Sequence, residues 1–387
     1  MRVVCNLASK SCSKPAGGPK TRLLAFFVIT ALQGGGLLTA AGNAEALFQR
    51  AASALSLQDY TAAEQGFLSV LKLEPRNTGA LGNLGVVYSR THRYVQAIAT
   101  YQRALRVTPA DAALLLNLGL VYLRQEQFSS ALPIFEKLSA DLHHLQAREL
   151  FATCLLGVGE YTQARRVLET LRATEPDSPG VLYMLGIALA RLKQVDQAHA
   201  VWARVLEVAR PAQAKMLLGK ASYETGSFDE AANYFRQALA ADPKLPDAHR
   251  ELGKTLVSLR DNENAEKELR LADPEDAEAL YFLGGLLFQN NRSEASALLE
   301  KARRLSPDFW GPLYYLGRIQ LDQGRVRAAL ANLEQAARLK PDEASVQYQL
   351  GRAYQKAGRG AEAHSAFDRV KQLKAASLQK EADRLAQ

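Results

Sequence analysis

Four cations recur at one spacing in the C-terminal half of this 387-residue sequence: Lys220, Lys254, Arg318 and Arg352. Four residues earlier in the same period of 33 to 34 residues stand Tyr183, Tyr281, Tyr314 and Tyr348, and Tyr223 and Phe288 share a third recurring place. An ammonium or guanidinium beside tyrosine rings can hold a carboxylate, because the cation supplies a charge-assisted hydrogen bond and the ring supplies apolar area with a hydroxyl. Solvated cations beside partly exposed tyrosines are the alternative reading. Catalytic constellations do not emerge. His92, His143, His144, His199, His249 and His364 are scattered and lack a His-x-x-x-His pair. Asp273-Pro274-Glu275-Asp276 lacks the spacing of a calcium loop, and Gly157-Val158-Gly159 follows no strand that would make it a phosphate loop. Cys154 lies in an apolar helical stretch and reads as a small buried hydrophobe. The sequence therefore predicts no enzyme, no metal and no cofactor.

Charge sets a further bound. The formal net charge is +8, but five basic residues and no acidic ones fall in residues 1–44, which leaves +3 for the remainder. A nucleic-acid binder needs a basic stripe able to neutralise several phosphates, so nucleic acid is not an expected partner. The five early cations precede the uncharged run Leu23–Leu32, and the small residues Ala40-Ala41-Gly42-Asn43-Ala44 follow it. That layout predicts a signal peptide over residues 1–44, cleaved after Ala44 or Ala41. The alternative is a retained membrane anchor, since extension to Ala41 reaches 19 residues.

These residues must be positioned by elements, and the elements repeat. Ten units run roughly 44–77, 78–111, 112–144, 145–178, 179–211, 212–245, 246–276, 277–309, 310–343 and 344–373. The eighth place of each is Gly or Ala, as in Ala51, Gly85, Gly119 and Gly351, and the twentieth is always Ala, as in Ala97 and Ala131. Bulky residues such as Phe67, Tyr101, Phe135, Trp202 and Phe235 hold the twenty-fourth place. Small residues where helices cross permit close approach, so the eighth and twentieth places are expected to meet inside a helical hairpin. Prolines at 75, 109, 176, 243, 307 and 341 end the second helices. The seventh unit, with Asn262-Glu263-Asn264 and a short exit, has a reduced second helix.

Leu84-Gly85, Tyr88, Tyr94, Ala97, Tyr101, Ala104 and Pro109 in one unit resemble the tetratricopeptide repeat. The resemblance implies an all-α, right-handed superhelical solenoid of about ten hairpins over 45–373, whose first helices line a groove for protein or peptide partners. Residues 374–387 read as a capping helix. Carried onto this chain, the fifth-place tyrosines face the groove and the ninth-place cations join them, so the C-terminal half would accept an acidic segment. Val86, Leu120 and Ile187 would make the N-terminal half more apolar. Asn83 and Asn117 hold the sixth place, where relatives grip a peptide backbone, but Gly82 and Leu116 replace the lysine of a two-carboxylate clamp. The sequence thus predicts a non-catalytic interaction scaffold in a bacterial envelope. An accessory subunit of an envelope enzyme or secretion system is the alternative.

Overall fold

A computed structural model describes residues 40–140 and 144–386. Twenty α-helices and no strand occur among the described residues. The chain divides into two compact units, residues 1–245 and 246–387. The first holds six hairpins: α1 (Ala40–Ser56) with α2 (Tyr60–Leu73), α3 (Thr78–Arg90) with α4 (Tyr94–Leu105), α5 (Ala112–Arg124) with α6 (Phe128–Ser139), α7 (Leu145–Val158) with α8 (Tyr161–Thr174), α9 (Pro179–Arg191) with α10 (Val195–Val208), and α11 (Pro211–Thr225) with α12 (Phe228–Ala241). The second holds four: α13 (Ala248–Ser258) with α14 (Asn262–Leu271), α15 (Ala277–Leu287) with α16 (Arg292–Leu305), α17 (Trp310–Asp322) with α18 (Val326–Leu339), and α19 (Ala344–Lys356) with α20 (Gly360–Ala386). Within each unit a second helix packs on its own first helix and on the first helix of the next hairpin. Each unit is an all-α solenoid of stacked helical hairpins, the fold class expected from the sequence.

Local chemistry starts and stops the helices. Asn77 accepts a hydrogen bond from the amide of Ala80, and Asp111 accepts from Ala113 and Leu114, so each satisfies amides that the first turn leaves without partners. Inside nine of the ten hairpins the turn uses a left-handed residue at the fifteenth place. Gly159, Gly226, Gly324 and Gly358 adopt it without a Cβ penalty, whereas Gln58, His92, Glu126, Lys193 and Arg260 adopt it as non-glycine residues. Gly159 is therefore a helix C-cap, in keeping with its position between two helices. Asn291 occurs in an Asn-x-Ser glycosylation pattern, and it caps α16 by accepting from the amide of Glu294.

The glycines of the eighth place show how their hairpins close. A Cβ at Gly85 would sit 2.6 Å from the Tyr101 ring, and one at Gly119 would sit 2.5 Å from Phe135. Gly219 stands likewise under Phe235, Gly253 under Leu269, Gly317 under Leu333 and Gly351 under Phe367. Each of these eighth-place glycines thus provides a recess for the bulky twenty-fourth residue, and at Gly284 the backbone carbonyl of the twentieth-place Ala295 also lies 3.4 Å from an added Cβ. The alanines are themselves buried, with Ala63, Ala97 and Ala131 at 0% exposure. In the first hairpin the glycine has moved to the twenty-third place, where a Cβ on Gly66 would lie 2.6 Å from the Cβ of Ala51.

The core of unit 1 includes a cluster around Phe67, Tyr88 and Tyr101, another around Phe135, Leu155 and Tyr183, and buried Phe235 on α12. Unit 2 is built from smaller clusters around Leu269, Leu299, Leu313 and Leu333. As expected, α14 is short, at 10 residues. The capping segment expected over 374–387 is no separate helix, because α20 runs unbroken for 27 residues from the tenth hairpin through Ala386. No glycine or proline interrupts the chain there, so the second helix of that hairpin simply continues. The signal segment lies outside the described residues apart from 40–44, which open α1. No described helix is long and apolar enough to cross a membrane.

Candidate functional site

The first helices of unit 2 bring several of the sequence-predicted residues together. On α17, Arg318 stands one turn after Tyr314, so the two side chains share a face. The Arg318 guanidinium lies 4.4 Å from the Phe288 ring centre, 5.4 Å from Tyr314 and 5.7 Å from Tyr315. Its Nη1 donates to the Tyr314 hydroxyl at 3.3 Å. Phe288, at the end of α15, is buried with Leu299, Leu316 and Ile319. It is therefore the floor on which Arg318 rests, and not the open groove residue that its place in the repeat suggested. Tyr281 packs edge-on against Phe309 at 4.9 Å and lies 5.8 Å from Tyr315, and a Cβ at Gly311 would meet its ring at 2.5 Å. Trp310 completes the row, 6.2 Å from Tyr314.

Electrostatics separate the four predicted cations. Among the described residues no carboxylate lies within 4.0 Å of the Arg318 or Arg352 guanidinium, and Nη1 of Arg352 donates to Gln349 at 3.1 Å. Both are half-buried, and Tyr348, one turn before Arg352, is 48% exposed and stacks on Phe367 at 5.9 Å. Lys254 behaves otherwise: it is buried, and its Nζ sits 2.7 Å from Oε2 of Glu251. Glu251 is in turn 3.0 Å from Arg250, which also contacts Asp247 at 3.1 Å and pairs with Asp276. Lys254 therefore stabilises the first hairpin of unit 2 and presents no charge to a ligand. The residue three places upstream differs among these three cations: Glu251 pairs with Lys254, whereas Tyr315 and Gln349 bring no carboxylate to Arg318 and Arg352. Burial raises the Tyr315 phenol above its usual range, Tyr314 adds to this, and Arg318 opposes it.

In unit 1 the predicted residues have different surroundings. Tyr183 is 0% exposed and belongs to the core, contrary to the groove-facing position expected of it. Its backbone carbonyl accepts from the indole of Trp202 at 3.3 Å, and the indole closes over that part of α9. Lys220 is likewise buried on α11, and Tyr223 is half-buried against Phe228 at 5.2 Å. Asn83 and Asn117 lie half-buried on the neighbouring first helices α3 and α5, and among the described residues neither side chain makes a hydrogen bond. Sequence reasoning missed Tyr315 and Trp310 as members of the unit 2 row. The (i, i+3) relation of Tyr315 to Arg318 was the available signal. No group of three or more His, Cys, Asp or Glu able to hold a metal occurs among the described residues.

Comparisons with known proteins agree with this construction. A family model described as tetratricopeptide repeat matches residues 48–106, 150–198 and 183–246, and a second of that description matches 222–283. A model described as TPR repeat matches 317–358, and one for anaphase-promoting complex, cyclosome, subunit 3 matches 90–171. Similar solved structures include "Crystal structure of MamA", at 25% identity and a TM-score of 0.36, covering 42% of this chain and 96% of that one. A second, "Crystal structure of MamA protein", has 25% identity and a TM-score of 0.36, with 43% and 94% covered. No curated protein matches the chain. Helical hairpins at this period, with a bulky residue over each eighth-place glycine and repeat models matching residues 48–106, 150–283 and 317–358, more than half of the chain, show that the chain belongs to the tetratricopeptide repeat family.

Proposed function

We propose that this chain is a non-catalytic interaction scaffold that works outside the cytoplasm, in a cell envelope, and holds an acidic segment of a partner protein on the first helices of unit 2. The carrying observation is Arg318: a guanidinium stacked on Phe288, hydrogen-bonded to Tyr314 and without a carboxylate of its own among the described residues. Stacking fixes the plane of the guanidinium before a partner arrives, which lowers the ordering cost of a bidentate carboxylate contact. Arg352 and exposed Tyr348, one turn apart on α19, add a second cation and ring one hairpin further along. Export is supported by the basic, apolar and small-residue order of residues 1–44.

A fluorescein-labelled acidic dodecapeptide titrated with the full chain tests the binding reading by anisotropy. Arg318→Ala and Arg352→Ala are each expected to weaken binding about tenfold, or ~1.4 kcal/mol, and Tyr314→Ala to weaken it less. Unchanged affinity in all three variants rejects this surface. Intact-mass measurement on protein from an envelope fraction addresses export, where loss of the first 41 or 44 residues is expected and an intact N-terminus points to retention as an anchor.

A further inference from the structure

The fifth and sixth hairpins of unit 1 enclose a cleft of about 450 Å³ that the acidic-segment site does not use. Its volume lies within the range of about 300–1,000 Å³ common for ligand pockets. The cleft lies where the junction between hairpins is shortest, since only Ala209 and Arg210 separate α10 from α11. Trp202 lines it from α10, in the twenty-fourth place where neighbouring hairpins carry Leu168 and Phe235. Gly186 leaves room for that indole, and the indole N–H is engaged by the Tyr183 carbonyl, so the ring offers the cleft apolar area. Leu218 and Ala221 extend the apolar lining from α11.

The rim is unusual for a solvent-facing surface. Val195 is 52% exposed and Leu206 is 43% exposed, and both line the same mouth. Exposed aliphatics around an apolar cleft mark a surface that a partner covers. The polar side has a sign. Glu230 is the one carboxylate of the lining, which contains no lysine or arginine, and Ser222 donates to it at 2.9 Å. The Tyr234 phenol is raised by burial and then by Glu230, which places that negative charge close to the aromatic wall. Lys215 already lies 5.4 Å from the Tyr234 ring centre, so a cation beside this wall is favourable.

We propose that this cleft docks a protein segment which inserts an aromatic or large aliphatic side chain against Trp202 and sets a neighbouring basic residue beside Glu230. A protein segment is favoured over a free small molecule because the chain on either side of the anchor covers Val195 and Leu206, which a ligand confined to the cleft leaves wet. The site is complementary in charge to the cationic row of unit 2, so the two select different partner sequences.

The test uses the full chain labelled with 5-fluorotryptophan, whose two tryptophans give two ¹⁹F signals, assigned with Trp310→Phe. The probes are three capped hexapeptides: Gly-Lys-Phe-Leu-Lys-Gly, its counterpart with glutamates for lysines, and its counterpart with alanines for Phe and Leu. The lysine peptide is expected to shift the Trp202 signal saturably and to bind about threefold tighter than the glutamate peptide, the scale of one exposed ion pair. Glu230→Gln is expected to erase that preference while anchor binding persists. Ala203→Phe, which fills the cleft from an exposed lining position, is expected to abolish the shift while the melting curve stays cooperative. The proposal is overturned if the Trp202 signal does not move, if the alanine peptide moves it equally, or if Ala203→Phe leaves the response intact. Phenethylamine binding as tightly as the lysine peptide overturns the assignment to a protein segment.

Discussion

At the scale of single residues, the sixth place separates three of the ninth-place cations of unit 2. Glu251 turns Lys254 into part of a buried network, while Tyr315 and Gln349 leave their arginines available. A different residue carries a pH effect. Glu149, in the fifth place of the fourth hairpin, has its carboxyl pushed up to about 7, first by burial and then by Glu175. Its folded value lies above the unfolded one, so between the two values the folded chain binds more protons and stability falls as pH rises. The neutral carboxyl thus adds stability that is fully present near pH 4 and gone above pH 7, at most about 3 kcal/mol. Urea unfolding of Glu149→Gln at several pH values should show that this fall between pH 5 and 7 has vanished, with the variant the more stable protein at pH 8. An unaltered pH slope would show that Glu149 does not titrate in that window.

At the scale of the element, the hairpin is a hole filled by a bulky residue. Alanine at position 85 gains helix propensity of up to about 1 kcal/mol, yet its Cβ would lie 2.6 Å from the Tyr101 ring. Overpacking of this kind costs roughly 1–3 kcal/mol, so Gly85→Ala should lower the melting temperature. Adding Tyr101→Leu should restore part of the loss, because Ala152 and Leu168 form that same combination in the fourth hairpin. A pair no more stable than Gly85→Ala alone would count against the contact. The ten hairpins were legible in the sequence because the same small and bulky places recur. Recurrence alone did not show that the twenty-fourth residue lies directly over the eighth-place glycine, since the twentieth and twenty-fourth places accompany the eighth at the same fixed offsets. Tyr183 misled for another reason: its burial depends on neighbouring packing, including the Trp202 indole held at its carbonyl, which a fifth-place rule does not see. Arg318 was legible as a cation, but its aromatic seat required Phe288 from the preceding hairpin.

At the scale of the whole molecule, the chain comprises two compact units that meet in sequence between Leu245 and Pro246. Lys244 is exposed beside that boundary, and Asp247 just after it holds a left-handed backbone with φ of 65°. Brief trypsin treatment should therefore cut after Lys244 before it cuts within either unit, giving two fragments resolved by mass spectrometry. First cleavage inside α9 or α17 would contradict the compactness of the units. The surfaces proposed for binding differ too, with a cationic aromatic row in unit 2 and a cleft bearing Glu230 in unit 1. A single partner that engages both would need acidic and basic motifs on one chain, and its avidity would depend on the spacer between them.

Because each eighth-place glycine and the bulky side chain above it sit in the same hairpin, a genetic excision of one complete period takes away lock and key together. Shortening the chain by whole periods should leave the surviving modules intact and require only that new neighbours fit. Excision of half a period would strand a ring with no recess to receive it. Length in this molecule can therefore change in steps of about 34 residues while each surviving hairpin keeps its own recess and the side chain that fills it.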